Sequence, residues 1–282
     1  MNAPEKRAKP VKPVKQVERI QSIALRRIIL QQSKRANVGH IGSALSVADI
    51  LAALYSGILR IERPGDPERD RFILSKGHAA LALYATLHLR GLLDAETLDT
   101  YCGDGSLLGV HPEPALPGVD FATGSLGHGL SIGAGAALGA RLEGSGRRAF
   151  VLVSDAELGE GSLWEAVMFA SHHRLSNLVA IVDWNGQQAL GYTEDVLSLR
   201  GLPDRFRSFG WDVQELDGHD RGALERTVST LEVDGPPHVL LARTTFGKGV
   251  SFMEGKIHWH YWPMSDEEYR LALAEVSVGS GT

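Results

Sequence analysis

Asp155, Asp183 and Asn185 are the residues from which chemistry can be argued first. Asp155 follows the aliphatic run RAFVLVS, Asp183 ends the run NLVAIVD, and Asn185 lies two residues further on. The stretch between the runs, GSLWEAVMFASHHRL, has the character of a helix, with Trp164, Val167, Met168 and Leu175 expected to face inward. Two aliphatic strands joined by a helix form a right-handed βαβ unit with parallel strands. Ligands of open parallel sheets bind outside the carboxyl ends of the strands. Neighbouring strands lie about 4.8 Å apart, so an Asp155 carboxylate and an Asn185 amide oxygen can converge. Two oxygen ligands with room for phosphate oxygens are a common way of holding Mg²⁺. The start of the helix near Gly161 adds N–H groups and a positive dipole end for an anion. The competing reading is that Asp and Asn are simply common turn residues after strands. No G-x-x-x-x-G-K-S/T loop is present, and GSLGHG has no aliphatic strand before it, so neither standard nucleotide fingerprint applies.

The histidines widen the chemistry. His40, His78 and His111 lie in three separate loops (GHIG, KGHA, HPEP), and His258 and His260 lie in a fourth, KIHWHYW. One reading is a zinc site, but H-x-H is a short-range pattern and no cysteine joins it. The other is a set of imidazoles lining a pocket for a polyhydroxylated substrate, donating, accepting and shuttling protons near neutral pH. The second fits better, and both stay open on the residues alone.

The elements that must position these groups follow from pattern. The chain has 282 residues, 43% hydrophobic and 22% charged, enough for one large α/β domain with a real core. Lys plus Arg is 29 and Asp plus Glu is 34, a net charge of -5 that gives no sign of a nucleic-acid partner. A single cysteine, Cys102, excludes a disulfide framework and makes a cytoplasmic protein the simplest expectation. Residues 1–16 read as a disordered basic tail, with no apolar h-region of a secretory signal, and 17–282 as one domain. Residues 17–33 are predicted helical on the recurrence of Ile20, Ile23, Ala24 and Ile28. Ser46 is predicted to cap the next helix, with Asp49 three residues on. A short strand, a glycine turn and a helix closed by Gly91 follow in RFILSKGHAALALYATLHLRG. The small-residue stretch ATGSLGHGLSIGAGAALGARL is too short and polar to span a bilayer, so no membrane is expected, and it should pack against a sheet. PHVLLART is a further strand, and SDEEYRLALAEV a closing helix capped by Ser265 with Glu268. The expected fold is a single three-layer α/β/α domain around a mostly parallel sheet.

Taken together, GHIGSALS (39–46), DRFILSKGHAALALY (70–84), HPE (111–113), TGSLGHG (123–129), SDAELGEGSLWEA (154–166), DWNG (183–186) and KGVSFMEG with WH (248–260) resemble, in order, the thiamine-diphosphate-binding half of transketolases. The likeness is to the N-terminal subunit of split transketolases, and it implies thiamine diphosphate with Mg²⁺, or Ca²⁺ or Mn²⁺ in its place. It implies Asp155, Asn185 and the backbone carbonyl of Gln187 as metal ligands. His78 and His260 would lie against the diphosphate and the substrate channel, Gly124, Ser125, Leu126 and Ala156 against the cofactor. His40 and His260 would touch sugar hydroxyls and His111 the first carbons of the donor. Glu160 would be the buried acid reaching across the interface to the partner chain, with Glu165 in the same network, while Glu157 reads as a solvated surface acid. His40, His78, His111, His260 and Glu160 form the implied catalytic set.

The chain departs from the family in several places. Ser154-Asp155-Ala156 replaces GDG, Gln187, Gln188 and Ala189 replace commoner aliphatic positions, and His128 stands where glutamine is frequent. If either glycine of that motif needed a positive φ, Ser154 or Ala156 would cost about 1–2 kcal/mol. The implied reaction transfers a two-carbon ketol unit from a ketose, expected to be phosphorylated, to an aldose. A glutamate that activates the coenzyme belongs to the family's pyrimidine-binding half, so a partner of that type is expected, in a heterotetramer. Two other readings are one half of a thiamine-diphosphate-dependent 2-oxoacid dehydrogenase or decarboxylase, and a non-catalytic scaffold that keeps the fold.

Overall fold

The computed structural model describes residues 19–278. The expected basic tail, 1–16, lies outside the described residues. Seven strands occur among the described residues in chain order: β1 (Arg71–Leu74), β2 (Ala149–Ser154), β3 (Leu178–Trp184), β4 (Gln187–Gln188), β5 (Gly191–Tyr192), β6 (Asp212–Asp217) and β7 (His238–Arg243). Five of them make one sheet in the order β1-β2-β3-β7-β6, every neighbouring pair parallel. β4 and β5 form a separate antiparallel hairpin just beyond β3.

The central strands are buried on both faces, as their unbroken aliphatic runs require. Because side chains alternate along a strand, Phe150, Leu152, Val179, Ile181 and Leu240 enter one core. Val151, Val153, Ala180, Val182 and Leu241 enter the other. The first core is closed by helices Ser22–Ala36, Ile41–Ser46, Ala48–Ala53 and Ala80–Leu89. The second is closed by Gly129–Leu142, Gly161–His172 and Leu202–Ser208. This is the expected three-layer α/β/α arrangement. Gly133 of the small-residue helix lies so close to Val151 that any β-carbon there would collide with it, which is why that position is glycine. No helix among the described residues is long and apolar enough to cross a membrane.

Several local expectations need correction. Ser46 does not cap a helix. The chain bends at Val47 between two short helices, and the Ser46 hydroxyl turns inward, donating to the Ser43 carbonyl and to Asp183. Asp49 is instead clamped by Arg26 and His219. Met168 is half exposed, whereas Val167 and Leu175 are fully buried, because the helix presents only a narrow stripe to the sheet. The first helix buries Leu25, Ile29 and Leu30, with Ile28 only partly covered. Strand β6 had no sequence signature, since DVQELD is the half-exposed edge of the sheet and carries charge where a central strand would carry aliphatics. The closing helix does carry its reciprocal cap: Ser265 N–H donates to Glu268 and Glu268 N–H to the Ser265 hydroxyl.

Candidate active site

The register of β2 and β3 sets Ser154 opposite Asp183, so Asp155 and Asn185 leave the sheet at the same level. Asp155 is fully buried. Its Oδ1 accepts the Ala156 N–H at 2.9 Å, and its Oδ2 accepts the Gly186 N–H at 2.8 Å and the Thr193 hydroxyl at 3.1 Å. Among the described residues no cationic side chain forms an ion pair with it. Burial, and then the neighbouring Asp183, push its pKa up to about 7. Asp183 is also fully buried but moves the other way: burial alone would raise its pKa, and the Lys76 ammonium bonded to it brings it below the ordinary carboxylate value. Asn185 donates from Nδ2 to Asp183 at 2.9 Å, and its Oδ1 accepts the Gln187 N–H at 2.9 Å.

Glu157, expected on the surface, is wholly buried. Its carboxylate accepts the Ser75 hydroxyl and the Gly127 N–H at 3.0 Å on one oxygen, and the Ser154 N–H at 2.8 Å on the other. It therefore ties together the exits of β1 and β2 and the glycine turn before the Gly129–Leu142 helix. Burial raises its pKa against the pull of these donors. Nothing in the sequence distinguished it from Glu160, because a one-turn 3₁₀ segment, Ala156–Gly159, is what rotates it inward. Glu157→Ala would leave two buried N–H groups without acceptors, and each such loss costs about 1–3 kcal/mol. The expected result in urea unfolding is a stability drop of about 3 kcal/mol. An unchanged midpoint would contradict the role given to Glu157.

Above these strand ends lies a cavity of about 160 Å³ whose lining includes His40, Lys76, His78, His111, Gly124, Leu126, Ala156, Asn185, Gln187 and His260. Three of the predicted histidines form a triangle, with ring centres 5.6 Å apart for His40–His78, 5.1 Å for His40–His260 and 5.5 Å for His78–His260. His111 faces Gly124, where a β-carbon would sit 3.0 Å from the imidazole. Gly77 likewise approaches the Gly124 backbone so closely that a β-carbon would lie 2.9 Å from its nitrogen, which is why both turns need glycine. His40 adopts a left-handed backbone, φ 60°, and its N–H donates to the His260 carbonyl. Strain of this kind persists where surrounding contacts over-determine the conformation.

Burial lowers the pKa of all three triangle histidines, with help from neighbouring positive charge. His260 falls to about 4. They are neutral near pH 7, each able to give one N–H and accept one hydrogen bond.

Other predicted residues lie elsewhere. Ser125 and Glu160 are exposed on the chain and do not line the cavity, and Glu160 sits at the start of the Gly161–His172 helix beside Gly127. His258 is exposed and stacks on Trp262 rather than joining His260. Ala156 is not among the residues with positive φ, so its replacement of glycine carries no backbone strain. Lys76, Ser43 and Ser154 line the cavity without having been singled out. Lys76 had one visible signal, a lysine directly before the Gly-His of a strand exit.

Asp155, Glu157 and Asp183 are three buried carboxylates, and the only buried cation among them is Lys76. A divalent cation between Asp155 and Asn185 would redress that imbalance. The donor set is all oxygen, which suits Mg²⁺ or Ca²⁺. Among the described residues no three His, Cys, Asp or Glu side chains come together as a metal shell, so the zinc alternative finds no ligand set. His40 Nδ1, His260 Nδ1 and Gln187 Oε1 are three of the six buried side-chain polar atoms without a partner among the described residues. Polar atoms left unpaired in one cavity are a common mark of a ligand site. A larger concavity of about 680 Å³ lies at the opposite end of the strands, but its Arg60 and Arg148 are bonded to Asp70 and its Arg141 to the carbonyls that end a helix.

Residues 17–278 match the family described as transketolase, thiamine diphosphate binding domain. The chain is 43% identical over 261 residues, 92% of its length and 93% of the relative's, to an apulose-4-phosphate transketolase subunit of Phocaeicola vulgatus. It is 40% identical over 260 residues to the 6-deoxy-6-sulfo-D-fructose transketolase subunit of a Clostridium species, covering 91% of this chain and 94% of that one. Its fold superimposes on the transketolase of Campylobacter jejuni with a TM-score of 0.85 at 30% identity, covering 91% of this chain and 42% of that one.

Proposed function

The chain belongs to the transketolase family through its thiamine diphosphate-binding domain, and from that premise we propose that it is the diphosphate-binding half of a two-chain enzyme moving a two-carbon ketol unit from a ketose to an aldose. The observation that carries the site assignment is Asp155, fully buried beside Asn185 and, among the described residues, with no cation paired to it. Asp155, Asn185 and the Gln187 carbonyl would hold the divalent ion. His78 and the Gly124 turn would flank the coenzyme, which supplies the electron sink for carbon–carbon cleavage when bound. His40 and His260, neutral and tied to each other through the backbone, would orient the ketose hydroxyls and carry protons at the carbon being cleaved.

The half-site reading rests on two features. A cavity of about 160 Å³ falls short of the roughly 300 Å³ at which small-molecule pockets begin. Among the described residues its lining also contains no carboxylate, so the family's activating glutamate would come from another chain. The two relatives that carry the word subunit in their names are consistent with this.

Their names also frame the substrate. One acts on a sugar phosphate and the other on a sulfonated sugar, two anionic tails on a common ketose head. Among the described residues Lys76 is the only Lys or Arg in the cavity lining, and it is committed to Asp183. We therefore assign recognition of the ketose head to this chain and recognition of the tail to the partner. With a pyrimidine-binding half added, His40→Ala and His260→Ala should each lower kcat/KM for the ketose by about a hundredfold, the scale of one proton-transfer group. Steady-state kinetics would check this, and wild-type values for both variants would refute the roles. Carbon dioxide release from a 2-oxoacid, instead of aldose exchange, would favour a decarboxylase.

A further inference from the structure

We infer that Asp183, neutralised by Lys76, is a positioning residue that turns the Asn185 amide so that its oxygen faces the cation. The inference rests on the proposed function, which places a divalent ion at Asn185, and assigns a task to two buried residues that no step above uses.

The geometry is specific. Asp183 Oδ2 accepts the Lys76 ammonium, the Ser46 hydroxyl at 2.7 Å and the Asn185 Nδ2–H at 2.9 Å, while Oδ1 accepts the Thr244 hydroxyl. Asn185 Oδ1 accepts the Gln187 N–H at 2.9 Å. A flipped amide would set oxygen against the Asp183 carboxylate and NH₂ against the Gln187 N–H, so both contacts would turn repulsive. The acceptor at 183 and the donor at 187 therefore select one amide orientation. In it, the second lone pair of Oδ1 is free for a metal. Lys76 is 1% exposed and Asp183 wholly buried. The ammonium offsets a charge that would otherwise be isolated next to Asp155. Partners that orient a ligand in this way typically change metal affinity by about 10–100-fold when lost.

The test compares two charge-neutral double variants that differ only in whether an acceptor survives at 183. Thiamine diphosphate is titrated calorimetrically into the full-length chain over a series of Mg²⁺ concentrations. Lys76→Met with Asp183→Asn should keep the Mg²⁺ half-saturation within about threefold of wild type. Lys76→Met with Asp183→Leu should raise it at least about tenfold, with a thermal midpoint matching that of the first pair. If the leucine pair fails to fold, Thr244→Val, which frees one side of Asp183, should still raise half-saturation a few-fold. Equal half-saturation in both pairs, whether shifted or not, would overturn the positioning role while leaving the site assignment standing. A wild-type chain that binds thiamine diphosphate with no dependence on Mg²⁺ would overturn the site assignment itself, and this inference with it.

Discussion

Asp155→Ala should abolish Mg²⁺-dependent binding of thiamine diphosphate, and ketol transfer by the assembled enzyme should fall by at least about a hundred- to a thousandfold. Removing one member of a buried charged contact costs about 3–5 kcal/mol, and each factor of ten is about 1.4 kcal/mol. The same residue makes a second, opposite prediction for the metal-free chain. Its folded pKa is about 7, raised by burial and by Asp183, while the unfolded chain carries an ordinary aspartate. Below about pH 4 both states are protonated and the group contributes nothing. As pH rises toward 7 the unfolded state gives up its proton first, so stability is lost, on the order of 4 kcal/mol once the folded group has also ionised. The triangle histidines have the reverse sign. Their folded pKa values are depressed, so they add stability as pH rises toward 6.5 and change little above it. The diagnostic is the difference between wild type and Asp155→Asn. Without metal, wild type should lose stability relative to the variant between about pH 4 and 7, and Mg²⁺ with coenzyme should remove that difference. Parallel pH profiles for the two proteins, or coenzyme affinity indifferent to the cation, would end the metal assignment.

Purified alone, the 282-residue chain should show no measurable ketol transfer, and addition of a pyrimidine-binding transketolase half should raise the rate by about a thousandfold or more. The physical ground is the incompleteness of the cavity: its small volume, its lack of any lining carboxylate, and a Glu160 left exposed at the start of a helix. A general acid or base contributes about 10²–10⁴-fold, and the missing wall removes substrate positioning as well. The surface around the site carries the apolar groups such a partner would cover, with Leu190 82% and Leu197 51% exposed. The measurement is glycolaldehyde transfer to an aldose acceptor, with and without the partner. Mass determination of the mixture would test for the heterotetramer. Full activity from this chain by itself would refute the half-site reading.

Glu157 and Glu160 mark the boundary between what was legible and what was not. Both follow the same strand, three residues apart, and their identities gave no reason to bury one and expose the other. The 3₁₀ turn at Ala156–Gly159 decided it by aiming Glu157 at the Ser75 hydroxyl, the Gly127 N–H and the Ser154 N–H at the end of β2. Lys76 was missed for a related reason. A lysine in a loop is usually solvated, and only the 107-residue contact to Asp183 gives it a buried counter-charge.

Sequence alone determined the layered fold, the parallel strands and the placing of Asp155 and Asn185 at neighbouring strand exits. Those features follow from local periodicity and from the fixed spacing of paired strands. Which histidines share a cavity and which carboxylates lose their water were decided only by tertiary structure. Burial and charge pairing are properties of residues brought together from across the chain, and no short stretch of sequence contains both partners.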